Sequence, residues 1–392
     1  MAISKHIEMK VLYLTHGCPF PPNKGDRIRN YHILKHLSQR HSVTLIYPSF
    51  SERDETNASA LETYCAAIHT VRLSPLVAKL QCCFSLVRNQ PLTNAHFYSK
   101  TLQRLVDEQM YDLVFVDCSS MAQYVLHVEK PKIIDFVDVD SDKWKRYARM
   151  NAFPKSWIFQ REHHKLQSFE TRLINEFDAS MVISESEKQL LPKSDRLFVV
   201  RNGIDLDYFS PREKWDPDTL IFTGAMDYFP NIDAVMFFHE QIFPLIKKHR
   251  PAVKFVIGGM NPVPRINALR SDDVFVTGFV PDMREYLGRA AVCVVPLRIA
   301  KGVQNKVLEA MAMGVPVIST TSANEGIHAM NRRDLIVADD PQEFAEQVIH
   351  ILENQDQATT LARNARRFVE EKFWWKDNLK QIDLAIHSAM GT

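Results

Sequence analysis

The stretch richest in chemistry is residues 296–316, PLRIAKGVQNKVLEAMAMGVP. An apolar run at 292–295 leads into it, Gly302 is expected to open a helix, and Gly314 with Pro316 to close it. The first turn of such a helix, from Val303 through Gln304 and Asn305 to Lys306, leaves backbone N–H groups without carbonyl partners, and these attract anions. Asn305 and Lys306 precede Glu309 by four and three residues, so the three side chains share one helix face. There the lysine can neutralise a diphosphate and the carboxylate can accept both hydroxyls of a ribose. The same spacing serves an exposed Lys306–Glu309 ion pair worth about 0.2–0.5 kcal/mol.

Three other sets could do chemistry. Near the start, the apolar run 11–14 leads through a proline-rich loop to Gly25 and Asp26, with Lys24, Arg27 and Arg29 beside them. Gly25 would let the backbone approach a ligand, and Asp26 is expected to cap a helix whose buried side carries Ile33, Leu34 and Leu37. An ordinary strand–helix turn with solvated charges has the same sequence. Asp138, Asp140 and Asp142 follow another apolar run, where a parallel sheet aims side chains at a ligand. Three carboxylates could bind a metal, but none is expected, and Asp138 or Asp140 is read as orienting a ligand. Gly258-Gly259 lacks the spacing of a dinucleotide loop and is read as a strand-end turn. Residues 143–172 interleave basic and aromatic side chains, which suits anionic lipid headgroups or a solvated helix with its rings turned inward.

These sets sit at the ends of short apolar runs alternating with helical segments, the pattern of strand–helix units feeding a parallel sheet. Strands are expected at 11–14, 43–47, 68–73, 113–116, 133–137, 180–183 and 197–200, then at 220–222, 255–257, 274–276, 292–295, 315–318 and 335–337. Ala234, Phe237, Phe238, Ile242 and Leu245 fall on one face of a helix and are expected in the core. Two Rossmann-like domains follow, 1–205 and 206–370, facing a cleft, with 371–392 a helix crossing back. The 392 residues carry a formal charge of +1, so no global field favours nucleic acid. Residues 1–205 hold 27 basic against 23 acidic groups and residues 206–392 hold 21 against 24, which places the excess positive charge in the first half. Six cysteines without a CxxC pair read as reduced thiols. A polar start and the lack of a long apolar run lead to the expectation of a cytoplasmic protein, at most resting on the inner face of the membrane.

The 296–316 stretch resembles the motif of the retaining, family 4 (group 1) glycosyltransferases of the GT-B fold, with Glu309 matching its second glutamate and Ala310 and Gly314-Val315-Pro316 continuing it. Arg201-Asn202-Gly203-Ile204-Asp205 with Phe209 and Pro211 resembles the family's interdomain signature. Val182-Ile183-Ser184 with Glu187, Gly278-Phe279-Val280-Pro281 and Phe373-Trp374-Trp375 also fit, so the likeness spans nearly the whole chain. Residues 19–29 and 137–141 are similar to sugar transferases associated with PEP-CTERM and exosortase exopolysaccharide systems. The resemblance implies transfer of a sugar from a nucleoside-diphosphate donor, UDP by family weight, to a glycan or lipid-linked acceptor, with retention and without a cofactor. It implies that the leaving phosphate deprotonates the acceptor, so cations and a helix N-terminus suffice. Lys306, Arg298, Lys301 and Asp138 become the catalytic candidates. Donor binding falls to Gly25, Gly224, Gly302, Val303, Gln304, Asn305, Lys306 and Glu309, and acceptor binding to Lys24, Arg27, Arg29 and Asp140. Two departures stand out: Lys301 replaces the motif's first glutamate, and residues 224–227 lack the basic residue many relatives place there. They keep open a nucleotide-sugar epimerase of the same fold and an inactive binding subunit of a polysaccharide assembly.

Overall fold

Apolar runs of four to eight residues bounded by turn formers cannot close a helix of useful length, and in this chain they pair side by side. The structure, a computed structural model, describes residues 8–391 apart from 23–24, 89, 212–215 and 301. The expectations for Lys24 and Lys301 therefore lie outside the described residues. Among the described residues, a first sheet is built from β1 (Lys10–Leu14), β2 (Ser42–Ser49), β3 (Ala67–Arg72), β4 (Leu113–Asp117), β5 (Lys132–Asp135), β6 (Ala179–Val182) and β7 (Leu197–Val199). A second is built from β8 (Asp216–Thr223), β9 (Lys254–Gly258), β10 (Val274–Gly278), β11 (Ala290–Val295), β12 (Val317–Ser319) and β13 (Ile336–Val337). Each expected strand is present, and all pairs are parallel. Buried on both faces, β1, β4 and β11 read as continuous apolar runs rather than alternating ones.

The first sheet runs β3-β2-β1-β4-β5-β6-β7 and the second β10-β9-β8-β11-β12-β13. In each, the order reverses direction once, between β1 and β4 and between β8 and β11. Connections leave those neighbouring strands toward opposite faces, which opens a crevice at their carboxyl ends where ligands of doubly wound sheets bind. The chemistry in each unit is therefore expected just after β1 and β4, and just after β8 and β11.

The chain divides into one unit of residues 1–201 with 376–392 and another of residues 202–375. Both boundaries fall a few residues from those expected, for one reason. Ile204 N–H donates to Phe373 O at 2.7 Å, and the Trp375 N–H returns to Ile204 O at 3.4 Å, so the segments entering and leaving the second unit are tied together. The helix Lys380–Met390 then packs on β5, β6 and β7 of the first unit, burying Ile382, Ala385 and Ile386. Its Asp383 accepts from His36 Nε2 at 2.8 Å and Arg40 Nη1 at 3.2 Å.

In the second unit Ala234, Phe237, Phe238 and Ile242 are buried as the periodicity requires. The helix is not continuous: Phe229–Phe237 passes through a wide turn at Phe238–Ile242 into Phe243–His249. Pro244 has no N–H to offer the preceding turn, which accounts for the loosened ladder there. No described helix is long and apolar enough to cross a membrane.

Candidate functional site

At the β8/β11 crevice the chain leaves β8 at Thr223 and turns through Gly224. Its N–H donates to Gly258 O at 2.9 Å, which joins the ends of β8 and β9. Gly224 has φ +156°, and a Cβ there would lie 2.6 Å from Asn231 Nδ2 and 3.3 Å from Lys306 Nζ. Gly259, at the end of β9, is closer still, since its Cβ would meet Gly224 O at 1.7 Å. Both glycines are thus required by close approach, and the lysine head borders the space left by Gly224.

Lys306 Nζ donates to Asn231 Oδ1 and stands 4.5 Å from the Phe222 ring centroid. Burial brings its ammonium down to about 8, although Cys293 and Glu309 favour the charge. The same burial pushes the Glu309 carboxyl up to about 7 against the pull of Lys306. Lys306 turns to Asn231 rather than to Glu309, so the exposed i, i+3 pair does not form. Two ionisable groups on one helix face, each held in the environment its charged form likes least, are poised for a ligand that supplies the missing charge or hydrogen bonds. A diphosphate would do so for Lys306, and a vicinal diol would for Glu309. Thr223 Oγ1, buried at the end of β8, has no hydrogen-bond partner among the described residues.

The helix beside this cluster is Asn305–Ala312, with Gln304 at its N-cap position in extended conformation. It begins three residues later than expected, because Gly302 adopts φ +66° and lies in the preceding loop. The first amides, at Asn305 and Lys306, have no backbone partner among the described residues. Val303 is half-buried and packs against the core. At the far end Val315 N–H reaches Ala310 O at 2.9 Å around Gly314 at φ +69°, the expected glycine stop.

The first unit holds a second cluster at its β1/β4 crevice. His16, two residues after β1, places Nδ1 2.5 Å from Asp117 Oδ2, and its own N–H contacts the same oxygen at 3.3 Å. Asp117 ends β4, is fully buried, and also accepts from Asn30 Nδ2 at 2.8 Å. Its other oxygen has no partner among the described residues. On the outer side His16 Nε2 stands 3.3 Å from Asp26. Burial alone would lower the imidazole pKa, but Asp117 outweighs it and holds the group well above its ordinary value. Cys118 at φ 62° and Val137 at φ 62° occupy left-handed backbone at the ends of β4 and just past β5. For a β-branched residue that costs on the order of 1–3 kcal/mol and concentrates at functional positions.

Several expected residues are placed elsewhere. Arg29, expected to meet an acceptor, is fully buried: Nε and Nη2 bind Asp135 at 2.6 and 2.9 Å, and Nη1 donates to Val200 O at 2.7 Å. It fastens the helix Gly25–Leu37 to β5 and to the segment after β7, and cannot reach a ligand. Arg27 is committed to Asp54 at 2.8 Å, and Arg298 is paired with Asp233 and stacked over Phe237 at 4.7 Å, so neither is a free cation for an anion. Asp26 lies inside the first turn rather than capping it, because the helix already starts at Gly25. Asp140 is close to the His16 cluster, accepting from Ser119 Oγ at 3.3 Å with its pKa raised by burial, whereas Asp138 is exposed and Asp142 pairs with Arg146 at 3.0 Å. The three aspartates do not converge. Among the described residues, His16, Asp117 and Cys118 alone bring three metal-ligand atoms within 4.8 Å, and Asp117 already holds the His16 ring. Sequence reading missed His16 and Asp117. Their one local signal is position: each lies within two residues of the end of a buried run, as THG after VLYL and DCS after LVFV.

Residues 217–354 match the family described as Glycosyl transferases group 1. A Klebsiella pneumoniae protein described as an uncharacterized 44.6 kDa protein in the cps region is 22% identical over 389 residues, covering 93% of this chain and 96% of that one. Among solved structures, the sucrose-phosphate synthase of Thermosynechococcus elongatus superposes with TM-score 0.68 at 16% identity, covering 98% of this chain and 100% of that one. Anabaena Alr3699/HepE in complex with UDP-glucose superposes with TM-score 0.65 at 16% identity, covering 97% and 100%. The fold is GT-B, the second unit carries a group 1 glycosyltransferase domain, and the chain is a glycosyltransferase by that domain.

Proposed function

We propose that this protein moves a sugar from a nucleoside-diphosphate donor to a glycan or lipid-linked acceptor in polysaccharide biosynthesis, at the inner face of the cytoplasmic membrane. The observation that carries the reading is the half-buried Lys306 ammonium, held by Asn231 against Gly224 beside the opening amides of its helix. Charge developing on a departing diphosphate is stabilised by that arrangement, and no protein nucleophile is needed. Glu309 is the ribose acceptor. The UDP-glucose held by the Anabaena protein and the cps-region setting of the Klebsiella protein agree with a UDP-sugar and a polysaccharide product. The first unit serves the acceptor, with Asp140 and His16 at its crevice.

The reading is tested by a thermal-shift panel of nucleoside diphosphates and nucleotide sugars. A donor at about 100 times its Kd stabilises the folded state by roughly 2.7 kcal/mol. Glu309→Ala removes charge-assisted bonds worth about 1.5–3 kcal/mol, so donor Kd is expected to rise by roughly 10–100-fold. A chain that binds no nucleotide is a scaffold instead, and epimerised donor formed without acceptor makes it an epimerase.

The stereochemistry has two readings. Resemblance favours retention, with the leaving phosphate taking the acceptor proton. The His16–Asp117 contact of 2.5 Å favours a second, in which Nε2 takes that proton and the sugar inverts. NMR of the fresh product distinguishes them. Retention is expected to give the donor's anomeric configuration, and His16→Asn then to lower acceptor affinity more than turnover. The opposite configuration, with turnover rising through the elevated imidazole pKa and lost in His16→Asn, installs the second reading.

A further inference from the structure

The helix Pro75–Arg88 is built inside out. Its buried residues are the small Ala78 and Ser85, while Leu76, Val77, Leu80, Phe84 and Val87 face solvent, Phe84 at 65% and Val87 at 87% exposure. Folding normally removes such side chains from water, and a contiguous exposed set marks a surface that something else covers. The exposure is enforced by neighbours. Arg161 of the helix Lys155–Glu176 donates to Ser85 O at 2.9 Å, Leu86 O at 3.2 Å and Gln90 O at 3.3 Å. Glu162, the next residue, accepts from the N–H groups of Leu92 and Thr93 at 2.7 and 2.9 Å. One turn before Arg161, and so on the same helix face, Trp157 is 59% exposed, and Phe153 just ahead of that helix is 81% exposed.

Charge identifies what covers this face. No acidic residue occurs between Glu62 and Asp107, nor between Asp142 and Glu162, while Lys79, Arg88, Arg149 and Lys155 lie in those stretches and are exposed. Exposed apolar side chains accompanied by exposed cations and no acidic neighbour in sequence match an anionic bilayer surface, where the chains enter the acyl boundary and the cations sit among headgroups. A second copy of this chain would set the same positive sign against itself.

We infer that the helix Pro75–Arg88, with Phe153 and Trp157, is the element that docks this protein on anionic membranes, Leu80 and Phe84 entering the lipid. The inference rests on the reading above that the acceptor is met at a membrane, but its test requires no catalysis. Purified full-length protein is sedimented with vesicles of phosphatidylcholine alone and with added phosphatidylglycerol. The protein is expected to partition at least tenfold more onto the anionic vesicles, less so at high salt, and the double variant Leu80→Glu, Phe84→Glu to lose at least tenfold of that binding. Both positions are exposed, so the variant's melting temperature and its nucleotide-induced thermal shift are expected to match the wild type. Absence of binding to anionic vesicles, or equal binding by the variant, overturns the inference. So does a wild-type dimer in light scattering that the variant converts to monomer, because a second copy then covers the face. Vesicle binding by a chain that binds no nucleotide supports the docking surface and overturns the donor site alone.

Discussion

Replacing Lys306 with alanine is expected to lower kcat by about 10²–10³-fold, with a smaller rise in KM for the donor. The reason is when the charge is needed. In the free protein the ammonium is poorly solvated and its pKa is brought down to about 8, so a bound diphosphate already relieves part of that cost. As the sugar–phosphate bond breaks, negative charge grows on the diphosphate and the same ammonium becomes worth several kcal/mol more. The variant is also expected to melt no lower than the wild type. A lysine whose folded pKa lies below its unfolded value destabilises the native state at neutral pH, and that penalty fades as pH rises through about 8 toward the ordinary lysine value. Donor affinity has the opposite slope: it is expected to weaken above about pH 8, where the free protein loses the Lys306 proton. On the acid side it is expected to weaken below about 7, where Glu309 gains one. Calorimetric titration of nucleoside diphosphate against pH checks both limbs. A wild-type profile flat from pH 6 to 9, or a Lys306→Ala variant with undiminished turnover, removes the lysine from the site.

The second large effect is on folding. Arg29→Met is expected to destabilise the first unit by about 3–5 kcal/mol, because it leaves the fully buried Asp135 carboxylate without its cation. Burial already pushes the Asp135 pKa up, and Arg29 is the main group drawing it back. Adding Asp135→Leu to Arg29→Met is expected to recover most of the loss, since an apolar pair of similar volume needs no compensation. Urea unfolding followed by circular dichroism measures both. Were the single variant as stable as the wild type, Arg29 would be free to serve a ligand after all.

The two large effects also show where sequence reasoning worked and where it stopped. The strands were legible because a parallel sheet covered on both faces demands uninterrupted apolar runs, and 292–295 or 113–116 can be little else. The donor side was legible in part, because Lys306 and Glu309 sit on one short helix whose spacing is local. Its partner Asn231 lies 75 residues away and has no local mark. The same distance problem hid His16 and Asp117, 101 residues apart and joined only by the neighbouring placement of β1 and β4. Arg29 shows the converse error. Cations after a glycine–proline loop resemble a ligand-facing cluster, yet whether one turns inward depends on a carboxylate 106 residues on. The helix Pro75–Arg88 is not singled out in the sequence, because the same apolar residues serve a buried or an exposed face, and only its packing shows which one is covered.

The return of residues 376–391 to the first unit sets an order of events during synthesis. Helix Lys380–Met390 shields part of β5, β6 and β7 and brings Asp383 to His36 and Arg40, yet the ribosome reaches it only after the whole second unit has been made. Through all that time the nascent first unit lacks the cover on one side of its sheet. It therefore matures only after the second unit has been made, and the waiting surface is a natural client for holding chaperones.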